Sequence, residues 1–172
     1  PLESSDIQGT ATALRGLLVY KPKYQATQYN AAIQKATQWL QNAKPVTTED
    51  YTFQILGLLW SNNRPAAQKV ARQLLTQQRP DGGWAQTKNL TSDAYATGQA
   101  LFVLAKAGVL QPNQPAYRSG AEYLRTTQYA DGSWSPVATV TSVASPTADN
   151  SQMSWMAFGP ALYLSLIHIS EP

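Results

Sequence analysis

The sequence predicts an all-α protein whose helical hairpins stack side by side in two concentric layers and form an incomplete, open arc. Three observations predict it. Acid-led segments recur from Asp6 to Leu14, Asp50 to Leu58 and Asp93 to Leu101, each with a leucine eight residues after the acid. Between them run segments with apolar or small residues at i, i+3, i+4 and i+7, the pattern of a helix with one buried stripe. A turn string, Gln-x-x-Asp-Gly-x-Trp, occurs at Gln78 to Trp84 and again 50 residues later at Gln128 to Trp134. Units repeating every 45 residues or so, none able to bury its apolar face alone, are the pattern of a stacked array.

Each element has its own signals. The first inner helix starts at Ser4-Ser5-Asp6, the second at Thr48-Glu49-Asp50 and the third at Thr91-Ser92-Asp93. In each, hydroxyl caps are followed by an acid that suits the positive end of a helix dipole. The outer stripes are Ala67, Val70, Ala71, Leu74 and Tyr117, Gly120, Ala121, Leu124, with an imperfect earlier member at Ile33, Ala36, Thr37, Leu40. Pro65 and Pro115 sit where the first turn of an outer helix tolerates proline. Ala94 to Gly108 is small or apolar nearly all round, so this inner helix is expected to be enclosed on every side. Gly159-Pro160-Ala161-Leu162 echoes Gly98-Gln99-Ala100-Leu101 and suggests a degenerate fourth inner member from Ser154 to Leu162, after a long polar connection from Ser135 to Gln152.

The turn strings have a structural reading. Gln78, Asp81, Gly82 and Trp84, and likewise Gln128, Asp131, Gly132 and Trp134, combine an Asp-Gly turn needing positive φ with an aromatic ring to pack under the next hairpin. The glutamine can bond backbone groups at a neighbouring helix end. Both tryptophans are therefore expected to be buried.

Composition excludes several classes. Hydrophobic residues at 43% suffice for a core, and the net charge of +3 is scattered, so nucleic acid is not an expected partner. No cysteine is present, and neither a metal nor another cofactor is expected. No run approaches the roughly 18 apolar residues of a membrane span, although peripheral membrane contact through a longer parent stays open. Low charge with abundant Gln, Asn, Thr and Ser favours a periplasmic or secreted setting. Residues 165–172 abandon the helix pattern and resemble translated adaptor sequence. The expected domain is therefore 1–164, followed by a non-native tail that holds His168, the single histidine.

Arg118, Gly120, Tyr123-Leu124, Gln128, Gly132 and Trp134 resemble the QW repeats of squalene-hopene and oxidosqualene cyclases. Ser92 to Leu101 (SDAYATGQAL) is similar to bacterial squalene-cyclase-like repeat proteins. The resemblance spans roughly residues 3 to 164 and implies an α/α-toroid, the fold that protein prenyltransferases share, holding or cyclising an apolar isoprenoid molecule. Cyclisation in that family starts from Asp-x-Asp-Asp followed by Thr-Ala. Here Asp6-Ile7-Gln8-Gly9-Thr10-Ala11 keeps the first acid and the Thr-Ala but not the other acids. The prenyltransferase zinc, held by Asp, Cys and His, is excluded for this stretch. Candidate catalytic carboxylates are Asp6 and Asp93, expected at one end of neighbouring inner helices at the toroid mouth, with Tyr95 and Trp155 as substrate-binding aromatics. Read blandly, each acid stabilises its helix N-terminus by about 0.3–1 kcal/mol. Two other functions stay open: a non-catalytic toroid that binds a ligand or protein partner, and a carbohydrate-active α/α-barrel enzyme using paired carboxylates.

Overall fold

The computed structural model describes residues 5–135. The described residues form six helices: α1 (Asp6–Tyr20), α2 (Ala26–Asn42), α3 (Thr48–Trp60), α4 (Arg64–Leu75), α5 (Ala94–Lys106) and α6 (Pro115–Thr127). A short 3-10 turn, Lys23–Gln25, precedes α2. The described residues contain no strand, and one isolated bridge pairs Trp84 with Asp93. The protein is all-α.

Consecutive helices pair as three hairpins, α1–α2, α3–α4 and α5–α6. The odd-numbered helices also pack on one another in the order α1, α3, α5 and form a row. Behind the row, α2 touches both α1 and α3, and α4 touches both α3 and α5. Position in this array decides burial. In α3, flanked on both sides, residues 52–58 are all buried, together with Thr48 and Asp50. The α4 stripe Ala67, Val70, Ala71, Leu74 is buried throughout, because α4 sits between two row helices. The same pattern on α6 buries Gly120 alone, since α5 is its one extensive contact among the described residues.

The third inner helix differs from its sequence expectation for the same reason. Phe102 in α5 is 38% exposed, and Ala105 and Lys106 are exposed beside it. Helix α5 ends the row among the described residues, so one stripe of it has no neighbour. An all-round apolar composition reports what a helix could bury, not how many partners surround it.

Of the expected hydroxyl caps Ser5 is in place, whereas Thr48 already lies inside α3, capped by Thr47, and Asp93 caps α5 itself; the three repeat acids thus occupy three different positions. Asp6 is the first residue of α1, behind the Ser5 cap, whose Oγ accepts from Gln8 N at 3.3 Å. Asp50 is the third residue of α3 and completes a capping box. Its backbone N donates to Thr47 Oγ1 at 3.0 Å, and its Oδ2 accepts from Thr47 N at 3.0 Å. Asp93 is itself the cap of α5, its Oδ1 accepting from Ala96 N at 2.9 Å.

The first turn string welds the second hairpin to the third. Gln78 Nε2 donates to Gly82 O at 2.9 Å within the turn and to Ala116 O in the first turn of α6 at 2.7 Å. Asp81 Oδ1 accepts from Gly83 N at 2.9 Å and from Ser92 Oγ at 3.0 Å. Trp84 is fully buried; its Nε1 donates to Leu74 O at 3.0 Å and its backbone N to Thr97 Oγ1 at 2.9 Å. Gly82 has φ +87°, and a Cβ there would stand 2.5 Å from Ser119 O, so turn geometry and the approach of α6 both require glycine. Gly120 lets α6 come close in the same way, because a Cβ would meet Leu101 Cδ2 at 2.9 Å and Trp84 Cζ3 at 3.1 Å.

The second string repeats the internal bonds. Gln128 Nε2 donates to Gly132 O at 2.8 Å, Asp131 Oδ1 accepts from Ser133 N at 2.9 Å, and Trp134 Nε1 donates to Leu124 O at 2.8 Å. Gly132 has φ +89°. Yet Trp134 is 41% exposed, against the expectation of burial. Trp84 is enclosed because α5 and α6 bring Thr97, Leu101 and Gly120 against it. No described helix stands in that relation to Trp134.

This comparison predicts unequal costs. Trp84→Ala is expected to destabilise by about 3–5 kcal/mol, and Trp134→Ala by less than half as much. Urea unfolding of the two variants checks the order; equal losses would contradict it.

Candidate functional site

The N-terminal ends of the three row helices meet in one polar cluster. Glu49, in the first turn of α3, receives hydrogen bonds on a single oxygen from both flanking helices. Gln8 Nε2 of α1 donates to Oε1 at 3.4 Å, and Tyr95 Oη of α5 donates to the same atom at 3.1 Å. Gln8 is buried, whereas Glu49 and Tyr95 are half-buried. The arrangement is a carboxylate oriented by two neutral donors at the edge of the array. Towards the C-terminal ends of the same helices, the Arg15 guanidinium lies over the Trp60 ring at 5.4 Å, again joining α1 to α3.

Sequence reasoning passed over Glu49, taking Thr48-Glu49-Asp50 as a helix start. Its partners lie 41 and 46 residues away, and nothing local signals them. Of the anticipated site residues, Tyr95 alone belongs to the cluster. Asp6 is exposed on α1, and Asp93 caps α5 at 4% exposure. These two helices are not the neighbours expected from the sequence, since α3 packs between them. Trp155 lies outside the described residues, as do the Ser154 to Leu162 segment, residues 136–152 of the long connection, His168 and the 165–172 tail. The turn residues Gln78, Asp81, Gly82 and Trp84, with their second copies, hold turns together as described above.

The two buried acids respond to their surroundings in opposite ways. Burial pushes the Asp93 carboxyl above its ordinary value, outweighing the hydrogen bonds from Ala96, Gln86 and Tyr95 that pull it down. Burial also acts on Asp50, but there hydrogen bonds from Ser5, Thr47 and Val46 prevail and hold the carboxyl below its ordinary value.

Among the described residues, no group of three or more His, Cys, Asp or Glu side chains could hold a metal ion. No described helix is long and apolar enough to cross a membrane. No family model matches the sequence, and no curated protein matches it. An all-α array with one polar cluster across its row helices is what the described residues define.

Linkage fixes the pH behaviour. Asp93, with a raised folded value, contributes stability that is fully present below its unfolded value near 3.8 and is lost as pH rises through the folded value. Asp50, with a lowered value, contributes stability that is present above 3.8 and is lost as pH falls through the folded value. Asp93→Asn keeps an N-cap acceptor without the buried charge, so at pH 7 it is expected to be neutral or stabilising. Asp50→Asn is expected to cost about 0.5–2 kcal/mol at pH 7. Urea unfolding at pH 7 and at pH 3 checks both signs; a loss above about 1 kcal/mol for Asp93→Asn at pH 7 would contradict the assignment.

Proposed function

We propose that the chain is a stretch of an α/α-toroid of the squalene-cyclase-like kind, which holds an apolar isoprenoid ligand against its row helices without itself starting a cyclisation. The observation that carries this reading is the bare stripe on the two outermost row helices. Among the described residues, a Cβ built on Gly9 or Gly16 of α1, or on Gly98 of α5, meets no atom within 4 Å. On α1 these glycines share a stripe with exposed Thr12 and Ala13; on α5 Gly98 shares one with Tyr95 and Phe102. Stripes of small residues, with aromatics beside them on α5, suit the close approach of an apolar chain to helices that otherwise bury their side chains. At the N-terminal ends of the row helices, Glu49 with Gln8 and Tyr95 supplies a polar anchor for a head group.

Binding without initiation follows from the chemistry of that anchor. Protonating an alkene needs a carboxylic acid held neutral and in contact with the substrate. Gln8 stands at one acid position of the cyclase motif and donates its amide to Glu49. An amide cannot supply the proton. Asp93, whose carboxyl is pushed up, is enclosed at the α5 cap.

Gly98→Leu separates binding from folding. The side chain has room, and replacing a helical glycine is expected to raise stability by about 0.5–1 kcal/mol while covering the stripe. Titrating a soluble isoprenoid alcohol against tryptophan emission should give saturable binding, weakened about tenfold or more in Gly98→Leu. No saturable binding to the native chain, or equal binding by the variant, would overturn the proposal.

A further inference from the structure

A second site lies apart from the bare stripes. We propose that a polar pocket between the α4–α5 connection and the segment entering α3 binds a small oxyanion, a phosphate or carboxylate group. The pocket has a volume of about 190 Å³ and is lined by Gln77, Arg79, Gln86, Thr87 and Lys88, with Val46 and Ala85 at its wall. That is below the roughly 300 Å³ at which pockets for drug-sized molecules begin, so it fits an ion or the end group of a larger molecule.

Three observations select an anion. The lining holds two cationic side chains and two amides, but no carboxylate. Acids close by in the chain are turned to backbone and side-chain donors: Asp50 Oδ2 accepts from Val46 N and Thr47 N, each at 3.0 Å, and Asp81 Oδ1 from Gly83 N at 2.9 Å and Ser92 Oγ at 3.0 Å. The second observation concerns Arg79, which occupies a turn position that does not need a cation. The turn uses its backbone, through Arg79 N to Gly83 O and Gly82 N to Arg79 O, both 2.9 Å. In the second copy Tyr129 makes the same two bonds, at 2.9 Å each, without any positive charge. The guanidinium is thus not required by the fold of the string.

Third, that guanidinium is held in place. Arg79 Nη2 donates to Lys88 O at 3.0 Å and to Thr87 O at 3.5 Å, which orients the planar group along the connection. The connection is itself anchored to α3, with Thr48 N donating to Gln86 O at 3.0 Å and Thr48 Oγ1 to Ala85 O at 2.6 Å. A fixed, planar, multi-donor cation beside a lysine is suited to oxyanion recognition, because little side-chain entropy remains to be lost on binding.

The test uses inorganic phosphate and acetate as soluble probes, with chloride at matched ionic strength as control. It also uses phosphatidylcholine vesicles with and without phosphatidic acid, so that a free anion and a lipid head group are told apart. Phosphate or acetate should cause saturable NMR shifts at the Gln86, Thr87 and Lys88 amides that chloride does not. Selective binding to the phosphatidic acid vesicles alone would assign the same chemistry to a lipid. Either response should weaken about tenfold in Arg79→Gln and in the exposed-residue variant Lys88→Gln. Arg79→Tyr, which copies the tyrosine of the second turn string, should fold normally and also bind weakly. No saturable response in any arm, or undiminished binding by the folded variants, would overturn the proposal.

Discussion

The bond from Gln78 to Ala116, together with the buried ring of Trp84, is the contact that fixes the third hairpin to the second. A helical hairpin cannot bury its own apolar stripe, so each must be fixed to the next before either gains a core. The turn after α4 does this with one residue of each kind. Gly82 supplies the positive φ and the close approach of α6, Asp81 holds the turn and Ser92, and Trp84 fills the space between hairpins. The intact second copy after α6 shows that the turn forms from its own bonds. Burial of the tryptophan needs the hairpin that follows.

That division sets the character of the row. Helix α3, with neighbours on both sides, is packed, whereas α1 and α5 keep bare stripes. The polar cluster belongs to the same geometry, because Glu49 can collect donors from α1 and α5 only if the hairpins keep their spacing. Shifting one hairpin by a helical turn would move a partner by roughly 5 Å and break the set. Any head-group recognition at Glu49 is thus coupled, through Tyr95 of α5, to the first turn string, which fixes the third hairpin to the second.

Features that depend on a residue and its near neighbours in the chain were legible in the sequence. The hydroxyl cap at Ser5, the α4 stripe and the Asp-Gly turns with positive φ all follow from local chemistry. Features that depend on how many helices surround a position were not. Identical patterns on α4 and α6 differ in burial, and the matching tryptophans differ between full enclosure and 41% exposure. The repeat acids looked equivalent because each precedes a buried leucine by eight residues, but the helix start slides relative to that leucine. Asp6, Asp50 and Asp93 accordingly meet different surroundings. Glu49 was hidden because its significance lies in contacts with two other hairpins.

The most direct measurement is residue-resolved hydrogen exchange on Gln78→Leu, which keeps the side chain's approximate size and removes the donors to Gly82 O and Ala116 O. If the turn string welds one hairpin to the next, protection in α5 and α6 should fall by an amount corresponding to about 1–3 kcal/mol, with α1 to α3 nearly unchanged. Unaltered protection in α6, or a uniform loss across all six helices, would contradict the account.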